Sequence, residues 1–160
     1  MREAIFNILS QDLTGLKVLD LFAGTGSLGL EALSRGAMRA IFVDNARPAI
    51  NLIGKNLARC GYLDKGLVIR KKLGNGISFR HPQLKDNFDL IFIDPPYRKG
   101  IIPSMLQEII NEKILSDNSR VIAESYKNEN LPSSIGKLEI LRIRNYGDTK
   151  ISMYAYEDKQ

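Results

Sequence analysis

The sequence has 160 residues, which is enough for one domain with a sizeable core, and we expect residues 1–160 to form a single domain. Its formal net charge of +5 favours a polyanionic partner, although the charge is spread along the chain. No apolar run approaches the length of a membrane span and no signal-peptide pattern is present, so no membrane partner is expected. Cys60 and His81 are each the only residue of their type, which excludes an internal disulfide and offers no Cys/His cluster for zinc. A chain of this kind fits a reducing cytoplasm.

Hydrophobic periodicity, interrupted by glycine and proline, predicts helices and strands that alternate along most of the chain. The pattern predicts helices at 2–9, 27–34, 47–60 and 102–110, and a short helix within 77–84. It predicts strands at 17–22, 39–44, 66–70, 90–93, 119–125, 138–143 and 151–156. The last two alternate with period two around residues 145–148, which is typical of an antiparallel hairpin. Such an order predicts a doubly wound α/β fold with an antiparallel edge.

A glycine-rich loop lies between the first predicted strand and the helix that follows it. Residues 20–29 read Asp-Leu-Phe-Ala-Gly-Thr-Gly-Ser-Leu-Gly and contain G-x-G-x-x-G. The loop can receive a dinucleotide pyrophosphate, the amino-acid part of S-adenosylmethionine, or no ligand at all. Asp20 opposes a pyrophosphate but can hold an ammonium group or organise the loop, which favours S-adenosylmethionine.

A second acid, Asp44, ends the next predicted strand, 18 residues after Gly26. A carboxylate at this place can accept hydrogen bonds from both hydroxyls of a ribose, in NAD enzymes and S-adenosylmethionine enzymes alike. It therefore supports nucleoside binding without choosing between the two. The predicted cofactor-binding residues are Asp20, Phe22, Ala23, Gly24, Thr25, Gly26, Asp44 and Asn45.

The stretch Phe88 to Tyr97 joins a buried strand to an unusual turn. Leu90 to Ile93 is a continuous apolar run with no polar face, as in the middle of a parallel sheet. The two prolines that follow end the strand, so Asp94 is presented at its carboxyl end, where α/β sheets bind ligands. The alternative is a strand-ending turn in which Asp94 has no catalytic part.

The residues of this turn are predicted to hold an aromatic amine while the amine accepts a transferred group. The exocyclic amine of a nucleobase is a poor nucleophile, and the Asp94 carboxylate with the Pro95 carbonyl can hold its two N–H groups and stabilise developing positive charge. The Tyr97 ring can stack on the base. We predict Asp94, Pro95 and Tyr97 as catalytic residues. The predicted substrate-binding residues are Pro96, Arg98 and Lys99.

The motifs occur together in an order and spacing that resembles the bacterial 16S ribosomal RNA guanine-N2 methyltransferase family. They are the segments Arg2 to Leu9, Asp20 to Gly29, Leu30 to Ala37, Asp94 to Tyr97 and Tyr146 to Thr149. The resemblance covers nearly the whole chain. It implies a Rossmann-like class I methyltransferase fold with a seven-stranded, mostly parallel sheet, an antiparallel C-terminal hairpin and helices on both faces.

The resemblance also implies the methyl donor, the methyl acceptor and the RNA partner. S-adenosylmethionine is the donor, and the acceptor is the exocyclic amine of one guanine in small-subunit ribosomal RNA, as naked RNA or in an assembly particle. Asp20 and the Gly24 to Gly26 turn border the methionine part, and Asp44 holds the ribose. Asp94 and Pro95 hold the guanine amine. The expected protein is a cytoplasmic monomer.

The sequence departs from the family pattern in two places. The family's basic segment before the first helix is not in this sequence, so we expect weaker RNA binding than with that segment added. The family usually offers an acid or amide to the adenine amine after the third strand, where this chain has Lys71-Lys72-Leu73-Gly74. No adenine contact is assigned there.

Three other functions compete with this interpretation. A DNA amino-methyltransferase would use the same Asp94 site, but the chain is short for an added target-recognition domain. An NAD-dependent oxidoreductase would use the glycine loop and leave the Asp-Pro-Pro-Tyr segment unexplained. An RNA-binding module could keep the fold and lack activity.

Overall fold

The computed structural model describes residues 1–9, 12–74, 81–97 and 100–158. The chain forms two compact units, which we call unit 1 (residues 1–72) and unit 2 (residues 73–160). The single domain expected from the sequence stays a prediction.

Unit 1 is a parallel three-stranded arrangement with connecting helices. Its elements are α1 (Arg2–Ile8), β1 (Lys17–Leu21), α2 (Ser27–Ser34), β2 (Arg39–Asp44), α3 (Arg47–Cys60) and β3 (Gly66–Arg70). Strand β2 lies in the middle and pairs in parallel with both β1 and β3. The register sets Leu21 beside Val43 and Asp44 beside Arg70, so the carboxyl ends of all three strands meet at one edge. The segments that leave these ends carry the predicted cofactor residues.

Unit 2 combines a parallel strand pair with an antiparallel extension. Its elements are a 3-10 turn (Pro82–Leu84), β4 (Phe88–Ile93), α4 (Ile101–Glu112), β5 (Leu115–Tyr126), β6 (Ser134–Ile135), β7 (Leu138–Tyr146) and β8 (Thr149–Tyr156). Strand β4 is parallel to β5, and β5, β8, β7 and β6 follow as successive antiparallel neighbours. All of β4 except Asp89 is buried, as its apolar run predicts.

The predicted α/β fold with antiparallel C-terminal strands is confirmed. The described residues contain eight strands where seven were expected, because Ser134–Ile135 forms a short pair with the start of β7. The C-terminal turn is shorter than expected, since Asn145 and Tyr146 belong to β7 and only Gly147 and Asp148 connect the strands. The short helix expected within 77–84 is a 3-10 turn at Pro82–Leu84, and residues 77–80 lie outside the described residues.

No helix in the described ranges is both long and apolar enough to cross a membrane.

Candidate active site

The glycine loop of unit 1 turns sharply at the carboxyl end of β1. Phe22, Gly24 and Gly26 all have positive φ, at 60°, 59° and 80°. The Ala23 N–H donates to the Val43 carbonyl at 3.0 Å, and the Gly26 N–H donates to the Ala23 carbonyl at 2.8 Å. A backbone of this shape is costly for residues with a Cβ, which explains glycine at two of the three places.

The third glycine of the motif, Gly29, allows close packing between α2 and β2. A Cβ added at Gly29 would lie 2.3 Å from Cε1 of Phe42, the buried aromatic of β2. Glycine therefore lets α2 lie directly against β2, which fixes where the start of that helix points.

Asp20 organises the loop from the buried side. Its side chain is 1% exposed, and Oδ2 accepts a hydrogen bond of 3.0 Å from the Gly29 N–H in the first turn of α2. A carboxylate at a helix N-terminus satisfies a backbone donor and is favoured by the helix dipole. Of the two roles considered for Asp20, organising the loop is the one with a contact, and holding an ammonium group stays a prediction.

Asp44 connects the loop to the end of β2. Its Oδ2 accepts from the Gly24 N–H at 2.8 Å, and its Oδ1 accepts from the Ala46 N–H at 2.9 Å. These charge-assisted bonds fix the carboxylate beside the exposed Gly24 and Thr25. A Cβ added at Gly24 would meet no heavy atom within 4 Å, so the loop has room for a ligand at its surface.

Two residues that the sequence analysis missed bond the backbone near the predicted cofactor residues, one in the glycine loop and one after β2. The Asn56 side chain in α3 donates to the Thr25 carbonyl at 3.1 Å, and Arg70 Nε donates to the Asn45 carbonyl at 3.0 Å. Arg70 could have been found, because it ends β3 at the same edge as Asp44. Asn56 lies mid-helix and carries no comparable signal.

In unit 2, Asp94 pairs with a second carboxyl that the sequence analysis also missed. Ile93 ends β4 beside Ala123 of β5, so Asp94, which follows β4, lies level with Glu124, which is still within β5. Their side chains share a hydrogen bond. An acid after the apolar run Val121-Ile122-Ala123 is the same signal that identified Asp94, and it was available in the sequence.

The acid pair changes the expected charge of the site. Burial, the neighbouring Glu124 charge and the shared hydrogen bond raise the pKa of Asp94 to about 7. Burial also raises the pKa of Glu124 above its usual value. Two close carboxyls cannot both ionise easily, so the pair retains one proton across the acidic range. An ionised Asp94, as the sequence analysis expected, requires a pH above this value.

Tyr97, three residues after Asp94 in the sequence, has an exposed aromatic ring. It is 60% exposed, and its hydroxyl lies 3.2 Å from Thr149 Oγ1. The Tyr126 ring packs edge-on at a centroid distance of 6.2 Å. Pro95 is buried and Pro96 is exposed, while Arg98 and Lys99 lie outside the described residues.

The structure thus gathers the predicted residues into two groups, one in each unit. The cofactor group lies on the β1 and β2 edge of unit 1, where backbone N–H groups, the open Gly24 and a fixed carboxylate suit a nucleoside joined to an amino acid. The acceptor group in unit 2 combines two carboxyls, the Pro95 carbonyl and the Tyr97 ring, which suit a flat amine.

Comparison with known proteins gives consistent matches over nearly the full chain. A family model described as Conserved hypothetical protein 95 matches residues 1–155. The chain is 31% identical over 157 residues to ribosomal RNA small subunit methyltransferase D of Escherichia coli strain K12, an alignment that covers 98% of this chain and 77% of the relative.

Solved structures match the fold. A conserved hypothetical protein from Streptococcus pyogenes has a TM-score of 0.87 at 31% identity, covering 100% of this chain and 98% of that one. An RNA methyltransferase from Salinibacter ruber, solved in complex with S-adenosyl-L-homocysteine, has a TM-score of 0.69 over 99% of this chain and 92% of that one. At 14% identity, the second is a likeness of fold alone.

Proposed function

Because the chain belongs to the family of ribosomal RNA small subunit methyltransferase D, we propose that it methylates the exocyclic N2 amine of a guanine in 16S ribosomal RNA. The protein is an S-adenosylmethionine-dependent ribosomal RNA methyltransferase, and guanine N2 is the finer part of the proposal. The observation that carries the finer part is the acceptor group of unit 2, where Asp94, at the end of β4, lies paired with Glu124 of β5.

The glycine loop and Asp44 form the proposed cofactor site. The open surface at Gly24 and the carboxylate fixed beside it fit the ribose and the methionine part of S-adenosylmethionine. When bound, this cofactor supplies a methyl group on a sulfonium, which is transferred by in-line displacement. In our proposal Asp44 accepts hydrogen bonds from the ribose hydroxyls, and Asp20 keeps the loop in the receptive shape through Gly29.

Asp94, Pro95 and Tyr97 form the proposed acceptor site. The amine gains positive charge as the new bond forms, so an ionised Asp94 that accepts one N–H stabilises the transition state more than the ground state. The Pro95 carbonyl accepts the second N–H, and the Tyr97 ring fixes the plane of the base. A strong base is not needed, because the methylated amine becomes acidic and then loses its proton. A carboxylate of the Asp94–Glu124 pair can accept that proton.

The test of the acceptor site is Asp94→Asn, which keeps the size of the side chain and removes its charge. We expect the single-turnover rate of methyl transfer to fall by roughly 10²–10³-fold, as for the loss of one preorganised electrostatic partner. Affinity for S-adenosylhomocysteine, measured by calorimetry, should hardly change. Asp64→Asn in the exposed segment before β3 is the matched control. If Asp94→Asn keeps nearly the wild-type rate, the segment is a strand-ending turn.

The test of the substrate uses an unmodified transcript of 16S ribosomal RNA, digested to nucleosides after reaction and examined by mass spectrometry. We expect N2-methylguanosine as the product. Methyladenosine or methylcytidine would contradict the choice of base, and equal transfer to duplex DNA would favour the DNA enzyme considered above. A protein that binds RNA and cofactor without transfer would be a binding module. The assay run on small-subunit particles in parallel separates the two forms of substrate.

The remaining parts of the proposal concern the oligomeric state and the cellular compartment. We propose a monomer that acts in the cytoplasm, where ribosomal RNA is modified. Light scattering at the concentration of the assay tests the monomer directly, because a dimer would double the measured mass.

A further inference from the structure

A row of three side chains crosses three neighbouring strands of unit 2. Tyr126 of β5 lies opposite Thr149 of β8, and Thr149 lies opposite Tyr146 of β7. Residues directly opposite one another in antiparallel strands project from the same face. We call these three residues the tyrosine row. Tyr126 and Tyr146 are 40% and 38% exposed, so their rings are open to a ligand.

The tyrosine row is continuous with the proposed acceptor site. The Tyr97 hydroxyl lies 3.2 Å from Thr149 Oγ1, at the middle of the row, and the Tyr97 ring packs edge-on against Tyr126. Glu124 precedes Tyr126 by two residues on β5 and therefore shares its face. Because Glu124 is hydrogen-bonded to Asp94, a base held by Asp94 has the row as its neighbour on the same face.

Two arginines extend the row along β7. Arg144 lies opposite Ile151 and Arg142 lies opposite Met153, so both share the face of Tyr146. The register is continuous from Arg142 to Tyr146, so ordinary alternation sets the arginines on this face. Both are exposed. Aromatic rings and positive charges at alternate positions on one open strand match a single-stranded nucleic acid, whose bases stack and whose phosphates are negative.

We propose that the tyrosine row, with Arg142 and Arg144, binds the RNA segment next to the target base. Bases that flank the target stack on Tyr126 and Tyr146, and the arginines contact the phosphates between them. This inference rests on the proposed function and names the surface that presents the RNA to the same site.

Charge on β7 favours RNA over another protein as the occupant. From Ile140 to Tyr146 the strand carries two arginines and no acid. The apolar residues that would suit a protein partner, Leu141 and Ile143, are exposed, and Ile143 projects from the opposite face to the arginines. A protein contact would therefore use that opposite face.

The test compares Tyr146→Ala with the double variant Arg142→Ala/Arg144→Ala. The controls are Tyr146→Phe, which keeps the ring, Ile143→Ala, which alters the opposite face, and Lys85→Ala, which removes an exposed charge before the start of β4. Fluorescence anisotropy with a labelled 16S ribosomal RNA transcript, repeated over a range of KCl concentrations, gives affinity and salt dependence. Single-turnover transfer and calorimetry with S-adenosylhomocysteine are measured on the same proteins.

Tyr146→Ala should weaken RNA binding by about 5- to 150-fold, the usual effect of losing one stacked base, and leave the salt dependence unchanged. The double variant should lower the slope of log affinity against log salt by about 0.7 for each lost phosphate contact. All three controls should bind as the wild type does, and cofactor affinity should be unchanged throughout, which shows that the variants are folded.

Wild-type affinity in Tyr146→Ala together with a wild-type slope in the double variant overturns the inference, even if the wild type methylates guanine. The inference is also overturned if Ile143→Ala weakens RNA binding and the variants of Tyr146, Arg142 and Arg144 do not. If the wild type binds the cofactor but transfers no methyl group, the proposed function fails, and the anisotropy measurement still decides the inference by the same comparisons.

Discussion

At the scale of single residues, the Asp94–Glu124 pair is the feature that the sequence left incomplete. Asp94 was predicted as an ionised acceptor because each residue was considered on its own segment. Its pKa depends on a neighbour 30 positions away in the chain, which only the β4–β5 register brings beside it. Local patterns do not contain that register, although the acid after Ala123 was visible in the sequence.

The pair predicts a dependence of activity on pH. Asp94 accepts an N–H only when it is ionised, so the single-turnover rate should rise with pH through about 7. Glu124→Gln removes the like charge that contributes to the raised pKa and leaves burial in place. The midpoint of the rate profile should therefore move to lower pH in this variant. Glu139→Gln, at an exposed position of β7, is the control, and a midpoint that stays in place or rises would show that Glu124 does not act on Asp94.

At the scale of elements, the interior of unit 1 was predicted closely. Helices α2 and α3 and strands β2 and β3 have the expected bounds, because each is a clear apolar pattern that ends at a glycine, a proline or a charged residue. Strand β5 begins earlier than expected, at Leu115 instead of Ser119. The polar residues 116–118 resemble a loop in sequence, and pairing of Leu115 with Phe88 outweighs that local preference.

The contact between α2 and β2 can be tested through its glycine. In Gly29→Ala the new Cβ would lie 2.3 Å from Phe42, so the helix must shift. We expect the free energy of unfolding in urea to fall by about 1–3 kcal/mol, the usual cost of overpacking. Gly54→Ala is the matched control in α3, where an added Cβ meets nothing within 4 Å. It should raise stability by about 0.5–1 kcal/mol through helix propensity. An equal response at both positions would refute the packing role.

At the scale of the whole molecule, ligand binding and folding are linked. A ligand that binds only the folded protein stabilises it by about 2.7 kcal/mol at a concentration 100 times its dissociation constant. The sequence located the glycine loop and both acids at the carboxyl ends of β1 and β2, because each is a local signal, and their contact with the cofactor stays a prediction. It could not predict that Asp44 accepts from the Gly24 N–H in the glycine loop and from the Ala46 N–H before α3, since the backbone path of both segments decides those contacts.

Asp44→Ala tests the cofactor group through this linkage. We expect S-adenosylhomocysteine to bind about 1–3 kcal/mol more weakly, because charge-assisted hydrogen bonds to the ribose are lost and the loop loses an anchor. The shift in melting temperature at a fixed ligand concentration should shrink accordingly. Asp64→Ala serves as the exposed control. Unchanged calorimetric affinity would refute the ribose assignment, and tight binding of NADH instead would refute the cofactor.

Strand β7 also has a bearing on solubility. In the described part of the chain, β6 pairs with it at Leu138 and Glu139, the Ile140 N–H donates to the Ser133 carbonyl, and residues 141–146 are exposed up to the turn at Gly147. An open strand edge is a template for strand addition between molecules, and positive side chains are a common protection against it. Arg142 and Arg144 are positioned to keep copies of the protein apart, so variants that neutralise them should be checked for aggregation before any loss of binding is attributed to RNA.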